Sequence, residues 1–312
     1  MTNKIEIKIG TRGSKLAIYQ AEKVKYELER TNPNIICNIN IIKTKGDKIL
    51  DIALSKIGDK GLFTKELEIA LINKDIDIAV HSLKDLPTIL PKEVRLGAVL
   101  QRDEVCDALI TNNNKKFSEL NENDIIATSS LRRKAQLLSF NSNFNIVDIR
   151  GNLDTRLQKL KDNYCTALLV SAAGMIRLGL KNNITEIIPP EIIIPATGQG
   201  VIAMEIRNND EHISNLINKI NHYQTFISIE AERTFLKTLE GGCQIPIGCY
   251  TKIEENNFTI YGFISNPDGS NMLKNSATGE IMEANLIAQK LAMEFYNKGA
   301  KNILNNIRNS SI

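Results

Sequence analysis

The sequence has few of the residues on which several common kinds of functional site depend. It contains three histidines (His81, His212 and His222) and no Gly-x-Ser-x-Gly motif, which argues against a zinc site and gives little support to a Ser-His-Asp triad. No metal is expected. Its five cysteines are scattered and include no Cys-x-x-Cys pair. Such a set indicates reduced thiols, and therefore a cytoplasmic location, rather than a disulfide framework.

A strong charge excess and long apolar runs are also absent. Lys and Arg total 39 against 36 Asp and Glu, and aromatic residues make up 5% of the chain. This balance does not favour binding to nucleic acid or to a membrane surface. No apolar run approaches the length of a membrane span. The first nine residues alternate isoleucine with charged residues, which predicts a strand rather than a secretion signal.

The order of helical and strand patterns predicts the fold class. Strands and helices alternate through residues 4–80 and again through 124–178, which predicts two α/β units with mostly parallel sheets. An apolar strand at 201–206 is expected to return to the first unit. Ser14 and the run Thr128-Ser129-Ser130 are expected to cap the helices that follow them. The last third has a long helix, short alternating strands with an Asn-Pro-Asp-Gly turn at 266–269, and an amphipathic closing helix. It predicts a small α+β domain with an antiparallel sheet.

Arginines recur where a predicted strand turns into a helix. The set comprises Arg12, Arg132, Arg133, Arg150, Arg156 and Arg177. Open α/β sheets bind ligands at this edge, where helix N-termini favour anions and the arginine fork binds carboxylate or phosphate with two bonds. Each arginine alone is more often a solvated or paired surface residue. Together, their recurrence predicts a ligand with many negative charges.

Lys84 and Asp85 lie just past the short apolar strand at 76–80. Functional groups gather at this position in α/β sheets, so Asp85 is a candidate for acid–base chemistry or for the stabilisation of positive charge. The alternative is that both are turn residues before Pro87. The local pattern favours neither hypothesis over the other.

One cysteine, Cys243, lies in a loop rich in glycine and proline. Gly241 and Gly242 allow a sharp turn before it, and Pro246 and Gly248 keep the segment out of helices and central strands. A thiol displayed in this way suits covalent attachment of another group. The alternative is that Cys243 fills the core as a small apolar side chain, the usual role of a free cysteine.

Several motifs together resemble those of the porphobilinogen deaminase family. They are Thr11-Arg12-x-Ser14, Lys60-Gly61-Leu62-Phe63, His81-Ser82-Leu83-Lys84-Asp85, Thr128-Ser129-Ser130-Leu131-Arg132-Arg133, Arg150-Gly151-Asn152 and Glu240-Gly241-Gly242-Cys243-Gln244-x-Pro246. The match covers essentially the whole chain in order. It favours the covalent role of Cys243.

The resemblance implies a fold and an activity. Two α/β lobes of periplasmic-binding-protein type would flank a cleft, with lobe 1 at 1–100 and 200–218 and lobe 2 at 105–195. An α+β domain at 222–312, with an antiparallel sheet, would carry the cofactor cysteine. Four porphobilinogen molecules would condense head to tail with loss of ammonia, and hydrolysis would then release the linear tetrapyrrole hydroxymethylbilane. A dipyrromethane cofactor would be joined to Cys243 by a thioether.

The resemblance also implies roles for individual residues. Asp85 matches the catalytic aspartate of the family, which would stabilise a cationic pyrrole ring and help to move protons. The residues expected to bind carboxylates of the cofactor or of the growing chain are Lys84, Thr128, Ser130, Arg132, Arg133, Arg150 and Arg156. Arg12, Ser14 and Arg177 are expected to face the incoming substrate. The arginine pattern agrees with this chemistry, because each porphobilinogen unit carries an acetate and a propionate.

Four residues depart from the usual pattern of the family, namely Gly13, Lys15, Ala127 and Cys106. These departures are expected to affect the stiffness of the hinge and the fine geometry of substrate binding. A rival hypothesis from another class is a non-catalytic two-lobed anion-binding protein, which would need neither the Cys243 loop nor Asp85. The resemblance favours an enzyme whose partner is porphobilinogen. We expect a monomer with no nucleic acid, membrane or obligate protein partner.

Overall fold

The structure is a computed structural model of the 312-residue chain, and it describes residues 4–48, 61–239 and 245–309. The chain divides into two compact units. Unit 1 comprises the described residues up to Asp103 together with Gly200–Phe226, and unit 2 comprises Glu104–Gln199 and the described residues from Ile227 onward. The boundaries of the three domains expected from the sequence stay a prediction.

Strands and helices alternate along most of the chain. The strands are β1 (Ile5–Thr11), β2 (Ile35–Ile41), β3 (Ile78–Ser82), β4 (Val94–Val99), β5 (Asp107–Thr111), β6 (Ile125–Ala127), β7 (Asn145–Val147), β8 (Ala167–Ser171), β9 (Glu186–Ile188), β10 (Ile202–Arg207), β11 (Ile247–Glu254), β12 (Asn257–Ile264) and β13 (Leu273–Glu280). The α-helices are α1 (Lys15–Thr31), α2 (Lys45–Lys48), α3 (Lys65–Ile72), α4 (Leu131–Phe140), α5 (Leu153–Lys161), α6 (Ala172–Arg177), α7 (Glu211–Asn218), α8 (Tyr223–Thr238), α9 (Ala284–Phe295) and α10 (Lys301–Asn309).

Unit 1 is built on a five-stranded sheet with the order β2-β1-β3-β10-β4. β1 pairs in parallel with β2 and β3, whereas β10 is antiparallel to both β3 and β4. The predicted return of the strand at 201–206 to the first unit is therefore confirmed. With two parallel and two antiparallel pairings, the sheet is mixed, and the expectation of a mostly parallel sheet is wrong. β10 arrives after a long excursion of the chain, so no crossover helix obliges it to run parallel to its neighbours.

Helices cover the two faces of this sheet. Val24 of α1 and Ile213 of α7 pack with Ile9 against one face. Leu67 of α3 packs with Ala79 against the other. Burying a Val, Leu or Ile side chain contributes about 1.5–3 kcal/mol, so these layers hold the sheet between them. The carboxyl ends of β1 and β3 consequently lie side by side at one edge of a buried sheet.

Unit 2 repeats this arrangement and adds a third sheet. The order of its five-stranded sheet is β7-β6-β8-β5-β9, with β6 parallel to β7 and β8 and with β5 antiparallel to β8 and β9. The third sheet, β11-β12-β13, is antiparallel throughout. It packs with α8, α9 and α10 through a separate core that includes Phe235, Phe258 and Phe295. The predicted fold class, two α/β lobes and an α+β region with an antiparallel sheet, is confirmed.

Candidate active site

The carboxyl ends of β1 and β3 bring three of the predicted site residues into one pocket of unit 1. Arg12 and Ser14 follow β1 directly, and Asp85 ends a short 3-10 turn that follows β3. All three line the same pocket. Because β1 and β3 are parallel neighbours, their ends meet at the same edge of the sheet. The structure thus joins the predicted catalytic residue with two predicted substrate-binding residues.

The main chain of the 3-10 turn fixes Asp85. Leu83 N donates to Val201 O at 3.0 Å, and Leu86 N donates to Leu83 O at 3.0 Å. Leu83 is buried in the core, whereas Lys84 and Asp85 are half-buried. The turn is therefore anchored from below while the Asp85 carboxylate remains in the pocket wall.

Ser14 prepares the pocket for an anion. Its Oγ accepts a hydrogen bond from Ala17 N at 3.3 Å and so caps α1, as predicted from the sequence. Because the oxygen is the acceptor in this bond, the hydroxyl proton remains to be donated to a ligand. The N-terminus of the 17-residue α1 adds the positive end of a helix dipole. Both features favour a carboxylate.

The Arg12 guanidinium is held on one edge and one face. Its Nε and Nη2 lie 3.2 Å and 2.5 Å from Asp47 Oδ1. Its Cζ lies 4.1 Å from the centre of the Phe63 ring. Burial acts to raise the pKa of Asp47, but the Arg12 guanidinium and hydrogen bonds from Thr44 outweigh it, and the pKa lies below its usual value. Arg12 is therefore charged, oriented and present in the pocket before substrate binds.

Buried polar side chains complete the wall of this pocket. Gln20 Nε2 donates to Ser82 Oγ at 2.8 Å. His81 Nε2 lies 3.0 Å from Glu205 Oε2, and both side chains are almost completely buried. Gln20, His81 and Ser82 all line the pocket. Since Gln20 already binds Ser82 and His81 already binds Glu205, the polar wall is organised before any ligand enters.

Thr128 and Ser130 lie where β6 of unit 2 turns into α4. Thr128 Oγ1 accepts from Ser130 N at 3.3 Å, and Ser130 Oγ accepts from Arg133 N at 3.4 Å. Ser130 is thereby the N-cap of α4, as predicted. Both hydroxyl oxygens act as acceptors, so both hydroxyl protons remain to be donated.

The turn that contains Arg150 lies on the same edge of the sheet. Ser129 Oγ donates to Ile149 O at 2.8 Å and accepts from Ile149 N at 2.9 Å. Gly151 has a φ of +107°, and a Cβ there would overlap the first turn of α5, so this turn requires glycine. Arg156 Nε donates to Gly151 O at 2.9 Å. Arg156 is therefore bound to the turn that contains Arg150, and Ser129 ties this turn to the segment that precedes α4.

Arg132 and Arg133 are buried and both bind Asp107. Arg132 Nη2 lies 2.7 Å from Asp107 Oδ2, and Arg133 Nη2 lies 2.8 Å from Oδ1. Arg132 Nη1 donates to Ile194 O at 2.7 Å, and Arg133 Nη1 donates to Leu169 O at 3.1 Å. Burial acts to raise the pKa of Asp107, but the two guanidinium groups outweigh it and hold the pKa far below the usual range. Much of the donor capacity of both arginines is thus used within unit 2, and their role toward the cofactor stays a prediction.

Two predicted site residues are not joined to these groups by the structure. Arg177 is buried at the end of α6 in unit 2, and it is not among the residues that line the pocket of unit 1. Cys243 lies in 240–244, outside the described residues. The roles of both residues stay predictions.

The donor set of unit 2 fits an anionic cofactor. Arg133 Nε is buried, and within the part of the chain that the structure describes it has no hydrogen-bond partner. A buried cationic donor is costly unless an anion or another acceptor satisfies it. The hydroxyl protons of Thr128 and Ser130 lie at the start of the same helix. These residues suit a group that carries several carboxylates.

Two carboxylates that organise these sites were missed in the sequence. Asp47 lies on the short α2, and Asp107 opens the buried strand β5. The sequence signal for Asp107 was an acidic residue directly before an apolar run, which indicates a charge that needs buried partners. Asp47 had no comparable signal, because its partner Arg12 is distant in sequence. Neither partner could be identified without the fold.

Two negative observations concern the described residues only. No helix within 4–48, 61–239 and 245–309 is long and apolar enough to cross a membrane. Over the same ranges, no cluster of three His, Cys, Asp or Glu side chains is arranged to hold a metal ion.

Known proteins with similar sequences agree with this description. The family described as "Porphobilinogen deaminase, dipyromethane cofactor binding domain" matches residues 7–215, and "Porphobilinogen deaminase, C-terminal domain" matches 226–297. A curated protein named porphobilinogen deaminase from Desulforamulus reducens is 44% identical over 305 residues, which cover 98% of this chain and 99% of that protein. Another protein of the same name, from Carboxydothermus hydrogenoformans, is 46% identical over 305 residues, which cover 98% of each chain. A solved TRAP periplasmic solute binding protein from Desulfovibrio salexigens is 12% identical with a TM-score of 0.42, covering 70% of this chain and 72% of its own.

The fold and the two sites define an α/β protein with cationic and hydroxyl groups at the carboxyl edges of its sheets. The chain belongs to the porphobilinogen deaminase family. It is therefore an enzyme, a transferase of tetrapyrrole (porphyrin and haem) biosynthesis, and dipyrromethane is its cofactor. The family predicted from the sequence is confirmed, and a non-catalytic anion-binding protein is not favoured.

Proposed function

We propose that this chain condenses four porphobilinogen molecules head to tail and releases hydroxymethylbilane by hydrolysis, with Asp85 as its catalytic carboxylate. The observation that carries this proposal is the pocket of unit 1, which is lined by Asp85, Arg12 and Ser14 together. Porphobilinogen has two carboxylates, a pyrrole N–H and an aminomethyl group that leaves as ammonia. The pocket offers a cation and a hydroxyl group to the carboxylates and an anion to the pyrrole.

Asp85 acts on the charge that develops during condensation. Departure of ammonia and attack by a pyrrole carbon place positive charge on the substrate ring. A carboxylate fixed by the turn after β3 stabilises that charge without having to reorganise. Its oxygen can also hold the proton that the ring carbon loses when the pyrrole becomes aromatic again.

The remaining residues bind and orient. The dipyrromethane cofactor supplies the pyrrole to which the first substrate is joined, and Cys243 carries it through a thioether. The residues that bind the carboxylates of the cofactor and of the growing chain are Lys84, Thr128, Ser130, Arg132, Arg133, Arg150 and Arg156. Arg177 assists Arg12 and Ser14 with the substrate. The position of these groups at strand ends and helix starts supports this division of roles.

The proposal includes a cytoplasmic monomer of three domains, with 1–100 and 200–218 in the first, 105–195 in the second and 222–312 in the third. Separate hydrophobic cores under the three sheets support the domain division. Thiol chemistry supports the location. Burial raises the pKa of Cys37 and Cys165 to about 11 and that of Cys106 to about 12. Such thiols are inert, and no disulfide joins the four cysteines that the structure describes, which suits a reducing compartment.

The test is the intact mass of the purified protein and of its Cys243→Ser variant. We expect the wild type to be heavier than its sequence by two linked pyrrole units, and the variant to lack this increment. Cys249→Ala is the matched control, because it removes a nearby buried cysteine and should keep the increment. A wild type that is bare, and that gains no mass on incubation with porphobilinogen, would contradict the proposal and leave the anion-binding hypothesis.

A further inference from the structure

We propose that Asp47 is a positioning residue, which orients Arg12 so that the free edge of its guanidinium receives a carboxylate of the incoming substrate. The inference rests on the proposed role of the pocket in unit 1. Four features of the described residues support it, namely the edge of Arg12 that Asp47 uses, the anchoring of Asp47, the packing of Phe63 and the partial exposure of the ion pair.

Asp47 uses only one edge of the guanidinium. Its Oδ1 lies 3.2 Å from Arg12 Nε and 2.5 Å from Nη2. A guanidinium has five N–H donors in a rigid planar fork. One donor of Nη1 and the second donor of Nη2 point together away from the side-chain stem, and within the described residues no acceptor is bound to them. This end of the fork matches a second carboxylate with two parallel bonds. Arg12 can therefore bind Asp47 and a substrate carboxylate at the same time.

Asp47 is itself anchored, which a positioning residue requires. Thr44 Oγ1 donates to Asp47 Oδ2 at 2.8 Å, and Thr44 N lies 3.3 Å from the same oxygen. Thr44 is completely buried. Thr44 thus holds Oδ2, while Arg12 binds mainly Oδ1 and also approaches Oδ2 through Nε at 3.4 Å, so the position of the carboxylate determines that of the guanidinium.

Phe63 fixes the plane of the guanidinium from one face. Arg12 Cζ lies 4.1 Å from the centre of the Phe63 ring. The ring is held in turn by the α2 segment, because Gly46 N donates to Leu62 O at 2.9 Å and a Cβ at Gly46 would overlap the ring. With one edge on Asp47 and one face on Phe63, the orientation of the free edge of Arg12 is determined.

The exposure of the pair explains why Arg12 needs such support. The Arg12 and Asp47 side chains are 22% and 27% exposed, so water competes for both. A long side chain that is not held would lose rotamer freedom when it binds a ligand, and affinity would fall. The contrary hypothesis is that Asp47 competes with the substrate for Arg12. If Asp47 positions Arg12, its removal weakens substrate binding. If Asp47 competes with the substrate, its removal strengthens binding.

The experiment compares Asp47→Ala with the wild-type, cofactor-loaded enzyme. We expect the KM for porphobilinogen to rise about tenfold while kcat stays within about twofold, because the substitution affects orientation and not the reacting groups. Binding of porphobilinogen is also measured by calorimetry in the Asp85→Asn background, where the Kd should rise by the same factor. Thr44→Val leaves Asp47 in the chain but removes the hydroxyl group that anchors its carboxylate. This variant should raise KM by about two- to threefold.

A second ion pair of unit 1 provides the control. Arg207 Nη2 lies 2.6 Å from Asp210 Oδ2, with exposures of 16% and 19%, and Arg207 Nε also lies 3.1 Å from that oxygen. Asp210→Ala should lower stability and leave KM unchanged. An Asp47→Ala variant with a lower KM, an unchanged KM or a loss in kcat alone would overturn the inference, as would an equal rise in KM for Asp210→Ala. A wild type without turnover would instead contradict the proposed function.

Discussion

Each unit contains an arrangement of arginine and aspartate among its candidate site residues, and the two arrangements differ in burial. In unit 1 the pair of Arg12 and Asp47 is partly exposed. In unit 2 Arg132 and Arg133 are 6% and 7% exposed around Asp107, which is 0% exposed. Partly exposed charges can change partners at modest cost, whereas a buried cluster that loses one member leaves a charge without compensation. We therefore expect the first arrangement to control binding and the second to control folding as well.

The buried cluster also organises the chain around it. Gln199 Nε2 donates to Asp107 Oδ1 at 2.9 Å and to Val105 O at 2.7 Å. Gly198 N donates to Glu232 Oε2 at 2.8 Å. Two side chains of unit 2, Asp107 and Glu232, thus bind the segment before β10. A substitution there changes packing and ligand binding together, so its effect on activity cannot be assigned to cofactor contact alone.

The largest expected effect separates turnover from stability in unit 1. Asp85→Asn keeps the shape of the side chain and removes its charge, and turnover should fall by about 10²–10⁴-fold or more. The melting temperature should be unchanged, because the main-chain bonds of the turn do not involve the carboxylate. Rates of hydroxymethylbilane formation and thermal melts measure the two effects. A wild-type rate would contradict the assignment of Asp85.

The next effect concerns stability in unit 2. Asp107→Ala leaves two buried guanidinium groups without a counter-charge, and it should lower the free energy of unfolding by about 3–5 kcal/mol. Asp47→Ala is the matched comparison and should cost less than about 1 kcal/mol, because its ion pair is screened by solvent. Urea denaturation of both variants measures the difference. Equal losses would remove the distinction between the two arrangements.

The pH dependence of the same variants sharpens this comparison. Because the folded-state pKa of Asp107 is depressed, its stabilising contribution is complete above the unfolded-state value of about 3.9 and is lost as the pH falls below it. The difference in stability between the wild type and Asp107→Asn should be constant from about pH 5 to pH 8 and should shrink below about pH 4. A difference that disappears near neutral pH would contradict the ion-pair account.

The parts of the fold that depend on local signals were predictable from the sequence. Ser14 and Ser130 were predicted as N-caps because a hydroxyl residue precedes a helical pattern, and both cap their helices. Arg12 and Asp85 were expected at the binding edge because each follows a strand, and the pocket joins them. Local chemistry and the rule for strand ends thus placed these four residues.

Long-range partners were not predictable in this way. β4 is interrupted by Arg95 and Gly97, and the apolar run of β5 after Asp107 is only three residues long, so neither was predicted as a strand. β10 and β5 run antiparallel to the strands beside them, and these pairings depend on long-range contacts rather than on local sequence. The same limit applies to Asp47, whose role exists only because folding brings it to Arg12.

The smallest expected effect tests the packing of Phe63 on Arg12. Phe63→Leu keeps an apolar side chain but removes the aromatic face, which contributes about 0.5–1 kcal/mol at a partly exposed site. The KM for porphobilinogen should therefore rise by about two- to fivefold, with kcat unchanged. Tyr296→Leu is the control, because Lys301 Nζ lies 6.0 Å from the Tyr296 ring in unit 2, and KM should not respond to it. A Phe63→Leu variant with wild-type KM would show that the Asp47 carboxylate orients Arg12 without help from the Phe63 ring.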